Sequence, residues 1–256
     1  MLFFVFQAHS RPTQVEILVD DNYFPYSYRE GAQAAGLYNQ VLRHVFSHMP
    51  QYRITLLPTP WPRGKKRMEE GQGFALAPVF YHGHDWPYLY PYSLHFHEEK
   101  IITVCNAGSL NASALRWPED FTGLRIQNIA GFDGWGGPTF HQLVQEKKIS
   151  YSEVRGMQSQ IQMLSLGRVD CILAEALSFK RSMQKMKRTL ASEKFIQAAT
   201  AGIDPVHIGY SKPGIKSGRY PFAAHFRQSF DNQLYQLKQN GEIAEILSSY
   251  KVTPQK

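Results

Sequence analysis

The sequence predicts an α/β protein of two lobes, each a mainly parallel sheet flanked by helices. Three observations predict it. Strand-length apolar runs alternate with helix-period segments through the first hundred residues, reading β-α-β-α-β. The alternation then restarts after about residue 116. The chain has 256 residues, 43% of them hydrophobic, enough for one large domain or two small ones with a substantial core.

"VEILVD" (15–20) is a continuous β-branched run and reads as a buried strand. "DNYFPYSYREG" follows as a proline-containing loop. Residues 35–49 carry apolar side chains at 37, 38, 41, 42, 45, 46 and 49, a helical period. "YRITLLP" (52–58) is strand-like, "WPRGKKRMEEG" (61–71) a helix ended by Gly71, and "GFALAPVFY" (73–81) a strand. "EKIITVCNAG" (99–108) is a longer strand. A proline loop then leads to a strand over Leu124–Ile129, a glycine-rich turn, and a helix from about Pro138. "MQSQIQMLSLG" (157–167) is a helix, "VDCILA" (169–174) a strand, and residues 175–187 a helix. "VHIGYSKPG" (206–214) is a strand and turn, followed by two helices broken at Asn240-Gly241. No short-period repeat occurs.

The formal net charge is +7, which favours anionic partners of some kind. The densest basic run, "RGKKRMEEG" (63–71), is offset by its own glutamates and reads as a solvated helix face, so no nucleic-acid partner is expected. No 18-residue apolar run exists to span a membrane. "MLFFVFQAHS" resembles the end of a signal peptide without its basic start, with a short buried strand as the other reading. The signal reading is favoured, and residues 1–10 are set outside the fold. The two cysteines, Cys105 and Cys171, show no CxxC spacing. They could pair after export, but Cys171 lies within a strand core and a buried free thiol is favoured.

Chemistry-bearing residues gather after strands. "IAGFDGWGGPTF" (129–140) runs from a strand through glycines into a helix start, where free N–H groups attract anions. Its spacing matches neither a dinucleotide fingerprint nor a P-loop. The bland reading is a simple chain reversal, but Trp135 in that turn favours a binding role. Tyr23, Phe24 and Tyr26 follow the first strand, Trp61 and Arg63 the second, and His82 the third. Glu175 follows a strand of the second half. In open α/β sheets, ligands bind beyond the carboxyl ends of strands, so these clusters share one topological position. Each aromatic alone could equally be core. His82, His84, His95 and His97 show no metal-ligand spacing, a GxSxG elbow is absent, and Asp170 and Glu175 stand at opposite ends of one strand. No metal, cofactor or covalent chemistry is expected.

The order of "ILVDDNYFPYSY…GLYNQVLRHVF", "PWPRGKKRMEEGQGFALAPV", "YLYPYSLHFHEEKIITV", "FTGLRIQNIAGFDGW", "MLSLGRVDCILAE" and "LYQLKQNGEIAEILSSY" resembles a known family. It is that of the periplasmic solute-binding proteins of amino-acid-type ABC transporters, bacterial extracellular solute-binding family 3. The resemblance covers Val15 to Val252 and implies the type II two-lobed periplasmic-binding-protein-like fold. Lobe one would comprise residues 11–97 and 211–256 and lobe two 98–210, joined by crossover strands near Ile101–Val104 and His207–Tyr210.

Carried over position by position, the resemblance implies that Glu175 accepts a ligand ammonium. The turn Gly131, Phe132, Gly134 and Trp135 would cradle a carboxylate. One of Tyr23, Phe24 and Trp61 would sandwich the ligand, with Tyr26 beside them. Where the family carries a carboxylate-binding arginine, the register here places His82, and no arginine lies between Arg67 and Arg116. Arg63 or His82 would substitute for it. Asn39 stands where the family has an aspartate, and Glu175 is one methylene longer than the usual aspartate. A standard α-amino acid is therefore one option beside another small polar or aromatic-stacked solute. The implied protein is a periplasmic monomer that is not an enzyme and that captures a small molecule in a closing cleft. An ABC permease is the partner to which it would deliver that solute. A sensing or orphan binder, or a lyase using His82 and Glu175, are the alternatives.

Overall fold

The computed structural model describes residues 11–81, 85–110, 115–132, 135–186 and 195–252. Residues 1–10, His82 and Gly134 lie outside the described residues.

β1 (Thr13–Asp20) is buried continuously from Ile17 to Asp20. That continuous burial suits a strand covered on both faces. The chain then forms a small antiparallel sheet of β2 (Asn22–Tyr23), β3 (Ser27–Glu30) and β4 (Gln33–Ala35). α1 (Leu37–Ser47) follows and buries Leu37, Tyr38, Val41, Leu42, Val45 and Phe46, the apolar stripe expected from the spacing. Gly36 precedes it at φ +106°, and a Cβ there would lie 2.5 Å from the Tyr26 carbonyl oxygen. Only glycine permits that approach.

β5 (Tyr52–Thr59) pairs in parallel with β1 along its full length. α2 (Trp61–Glu69) and β6 (Ala75–Val79) complete this half, with β6 parallel to β1 on its other side. β7 (Leu89–Tyr92) and β8 (His97–Asn106) lead to β9 (Arg125–Ile129), α3 (Gly137–Gln145), β10 (Ser150–Val154), α4 (Gly156–Ser165), β11 (Cys171–Glu175) and α5 (Ala176–Met186). β12 (Phe195–Ser211) then returns the chain, followed by α6 (Lys212–Lys216), α7 (Ala223–Gln239) and α8 (Glu242–Val252). The main sheet runs β10-β9-β11-β8-β12-β6-β1-β5, with β7 beside β12.

β12 is the strand that enters both halves. Phe195 to Val206 pairs antiparallel with β8, and from His207 the partner becomes β6. This change of partner marks the crossover. It falls between Val206 and His207, opposite His97, several residues before the Ile101–Val104 stretch expected for the outgoing strand. α7 buries Phe226, Phe230, Leu234 and Leu237, and Phe46 of α1 meets the rings of Phe226 at 6.2 Å and Phe230 at 5.7 Å. The C-terminal helices therefore return to the β1 half. The break between them falls where expected: Asn240 ends α7 and Gly241 takes φ +87°.

The free-thiol expectation for the cysteines is corrected. Cys105 and Cys171 form a disulfide with Cα atoms 4.0 Å apart. They face each other directly in the antiparallel pairing of β8 with β11. A directly opposed antiparallel pair brings two Cβ atoms close enough to bond, which strand burial alone could not reveal. Asp170, at the outer end of β11, receives the Arg125 guanidinium at 2.7 and 3.0 Å and the Arg125 amide at 2.8 Å. That pairing holds its carboxyl below the usual aspartate range.

Candidate functional site

The carboxyl ends of the strands from both halves converge. β1 delivers Asp20, Asp21 and the loop carrying Tyr23, Phe24 and Tyr26. β5 delivers Trp61 and Arg63 on the opening turn of α2. β9 delivers Ile129 to Phe132, β10 ends at Arg155, and β11 ends on Glu175. The sheet thus places side chains from distant parts of the chain around one cleft.

Its centre is aromatic. The Tyr23 ring meets Phe132 edge-on at 5.0 Å and Trp135 at 6.5 Å, while Phe132 meets Trp135 at 5.0 Å and stacks with Trp61 at 6.1 Å. Hydrogen bonds tie the two halves at the same place. Trp61 Nε1 donates to the Gly131 carbonyl at 2.8 Å, and Lys65 Nζ donates to the same oxygen at 3.2 Å. The Ser178 hydroxyl donates to the Phe24 carbonyl at 2.6 Å. Gly131 takes φ +84°, and a Cβ there would meet Trp61 Cδ1 at 3.0 Å, so glycine permits the tryptophan to seat.

Beneath the aromatics lies a floor of carboxyls and phenols. Glu99, on β8, is fully buried and accepts hydrogen bonds from Tyr38 at 2.7 Å and from Tyr23. Burial pushes its carboxyl well up, and the neighbouring Glu175 charge raises it further. Glu175 is 3% exposed and accepts the amides of Leu177 at 3.0 Å and Ser178 at 2.7 Å, as well as the Tyr26 hydroxyl. It therefore seats the start of α5, and burial raises its carboxyl too. Asp20 is raised to about 7 by burial. Asp204 stands opposite Glu99 in the β8–β12 pairing and is raised to about 6 by burial. A floor that readily holds protons can donate to, or accept from, a polar group above it.

Two adjoining cavities open above this floor, of about 350 and 490 Å³. They share Asp21, Asn22, Ile129, Arg155 and Gly156. Tyr23 and Phe24 line the smaller, and Trp61, Arg63 and Phe132 line the larger. Tyr26, Trp135 and Glu175 are buried and line neither cavity. The Gly131 carbonyl is turned toward Trp61. His82 and Gly134, both expected at the site, lie outside the described residues, whereas Arg63 lines the larger cavity. Among the described residues no group of three or more His, Cys, Asp or Glu is placed to hold a metal ion. No helix among them is long and apolar enough to cross a membrane.

Glu99, Asp20, Arg155 and Ser178 belong to the site, although the sequence pattern does not place them there. Glu99 carries a faint signal: it is buried between exposed Glu98 and Lys100, at the inward parity of a strand. Arg155 follows β10, an edge strand of sequence SYSEV whose mixed burial leaves no apolar run to read.

No protein-family model and no curated protein matches the chain. Solved structures do. A mutant of ArgBP from T. maritima superposes with TM-score 0.70 at 9% identity, covering 94% of this chain and 96% of that one. GshT of Streptococcus mutans, described in glutathione import with the cystine ABC importer TcyBC, gives 0.72 at 14%, covering 93% and 95%. A histidine kinase sensor domain with similarity to periplasmic binding proteins gives 0.73 at 13%, covering 96% and 99%. At such identities the likeness shows the fold: the two-lobed α/β architecture of periplasmic binding proteins.

Proposed function

We propose that this chain is an exported solute-binding protein. It captures a small polar solute, an amino acid or a related metabolite, between its lobes for ABC-type uptake. The observation that carries the reading is the Trp61–Gly131 hydrogen bond, made across the cleft beside cavities that both halves line. Cavities of this size suit a small molecule, and loops from both lobes would close on it. The proposed lobes are residues 11–97 with 211–256, and 98–210. Tyr23, Phe24, Trp61 and Phe132 would contact the solute directly. Tyr26, Trp135 and Glu175 would shape the floor beneath it. The Cys105–Cys171 disulfide supports export, since such bonds persist in oxidising compartments.

A sensing role without transport is the second reading. It is favoured by the likeness to a histidine kinase sensor domain over 96% of this chain. The binding role itself is tested by melting curves against a panel of amino acids, organic acids and amines. A true ligand at a hundredfold excess over its Kd adds about 2.7 kcal/mol of stability. Saturable stabilisation by a small solute, lost in Phe132→Ala, is the expected result. A panel with no stabilising member would overturn the reading, and chemical turnover of a bound solute, followed by NMR, would replace it with an enzyme.

A further inference from the structure

The larger cavity is lined by two arginines that belong to different halves of the sheet. Arg63 lies on the first turn of α2, after β5, and Arg155 caps the start of α4, after β10. Among the described residues, neither guanidinium forms an ion pair or hydrogen bond, and both are exposed to the cleft. Among the described residues, the acidic and basic side chains lining the two cavities are Arg29, Arg63, Arg155, Lys185, Asp20 and Asp21. Two of these neutralise each other, because Arg29 meets Asp21 at 3.2 Å. Lys185 lies over the Phe24 ring with its ammonium 3.5 Å from the centroid. Asp20 is turned inward, 3% exposed, and accepts the Asn22 amide at 2.9 Å. Among the described residues the charge left facing the cavity is therefore positive, and its two unpaired guanidiniums come from different halves of the sheet.

Guanidinium groups form two-pronged bonds to planar or tetrahedral oxyanions. The opening turns of α2 and α4 carry no acidic residue and no side-chain cap, so their amide ends do not oppose an anion. We infer that the solute is acidic, and that one of its oxyanion groups, a carboxylate or a phosphate, is held between Arg63 and Arg155. This inference rests on the proposed binding role and narrows its substrate class. Because one arginine stands on each half, such an anion would draw the halves together and so couple binding to closure. The rest of the solute would lie against Tyr23, Trp61 and Phe132.

Calorimetry with the full chain tests it. The probes are succinate, glutarate and L-glutamate in one arm, glycerol phosphate and inorganic phosphate in a second, and glutaramide and putrescine, which carry no oxyanion, in a third. Binding within the first or second arm is expected, and the arm that binds identifies the oxyanion. Arg155→Gln and Arg63→Gln should each weaken that binding about ten- to hundredfold, the loss of one charge-assisted contact. Arg155→Lys should restore part of it, and higher salt should weaken the wild type more than either glutamine variant. Both sites are exposed, so the ligand-free melting temperatures should stay close to the wild type. Selective binding of glutaramide or putrescine, or glutamine variants that bind the anion as tightly as the wild type, would overturn the acidic-solute inference while leaving a binding protein. Failure of all three arms would remove both.

Discussion

The indole N–H of Trp61 donates to the carbonyl of Gly131 at 2.8 Å, joining the first turn of α2 to the loop after β9. The bond has a steric condition as well as a polar one, because a side chain at 131 would meet the indole edge. Trp61→Phe keeps the ring against Phe132 and removes only the donor. A single neutral hydrogen bond contributes about 0.5–1.5 kcal/mol net, so the global melting point should fall little. Closure should suffer more, since Lys65 would be left as the main donor to that carbonyl. Small-angle scattering should report a larger radius of gyration for the ligand-free variant. An unchanged radius and an unchanged ligand affinity would remove Trp61 from the closing contact.

Glu99 supplies a pH test of the buried floor. Burial raises its carboxyl, so the folded protein holds a proton that the unfolded chain releases. Its contribution to stability is full below the unfolded carboxyl's pKa and is lost as pH rises through the folded one. Glu99→Gln imitates the protonated form and should erase that loss, so the variant gains on the wild type as pH rises from about 5 to about 8. The amide must present a donor to one of Tyr23 and Tyr38, whose hydroxyls can turn to accept it. Glu99→Leu strands both hydroxyls and should cost about 1–3 kcal/mol for each. Urea titrations at several pH values would measure both effects. A gain for Glu99→Gln that does not grow with pH would mean the carboxyl is ionised in the fold.

Asp20 sharpens the same reasoning with a defined window. Its carboxyl is raised from 3.8 to about 7, chiefly by burial, against the Asn22 amide that lowers it. Stability from this group is complete below about pH 4 and declines as pH climbs toward 7, losing at most about 1.4 kcal/mol for each pH unit climbed. Asp20→Asn keeps an acceptor for the Asn22 amide and should flatten the profile from about pH 4 to about pH 7. Its melting temperature at pH 8 should match or exceed the wild type's. A variant less stable at pH 8 than at pH 5, relative to wild type, would show that the aspartate is charged and useful there.

Much of this arrangement is legible in the sequence, and the parts that are not have physical reasons. β1 and β6 announce themselves as continuous apolar runs and α1 by its 3.6-residue apolar period, while β5 is only strand-like and α2 is read from the Gly71 that ends it. The convergence of Tyr23, Trp61, Phe132 and Glu175 follows from one rule, that loops at the carboxyl ends of a sheet lie together. What stays hidden depends on pairing across the sheet. β12 begins at Phe195, eleven residues before its apolar stretch at Val206, because its early residues are held by the β8 ladder rather than by hydrophobic pattern. β7 is four residues long and contains Pro91, so no strand pattern announces it. From its position alone Glu175 reads as a free carboxylate facing ligand. Its oxygens in fact meet the amides of Leu177 and Ser178, a contact that needs α5 to begin one residue later.

Cross-strand pairing also explains the disulfide, whose prediction follows from its place. Cys105 and Cys171 are both fully buried and close a segment with a sequence separation of 66. That segment contains β9, α3, β10 and α4, so the bond ties the two ends of the β9 half together. Removing it should cost about 2–4 kcal/mol, chiefly by freeing the unfolded chain. For a chain of this size that is a melting-point drop of about 4–16 °C. The test uses the Cys105→Ala/Cys171→Ala pair, because alanine leaves a small apolar gap where serine would bury two hydroxyls. Because solvent does not reach either sulfur, reductant alone should act slowly on the native protein. Thiol titration in denaturant without reductant should find no free thiol in protein made in an oxidising compartment. Two titratable thiols there, or an unshifted melting point for the alanine pair, would show that the strands hold each other without the bond.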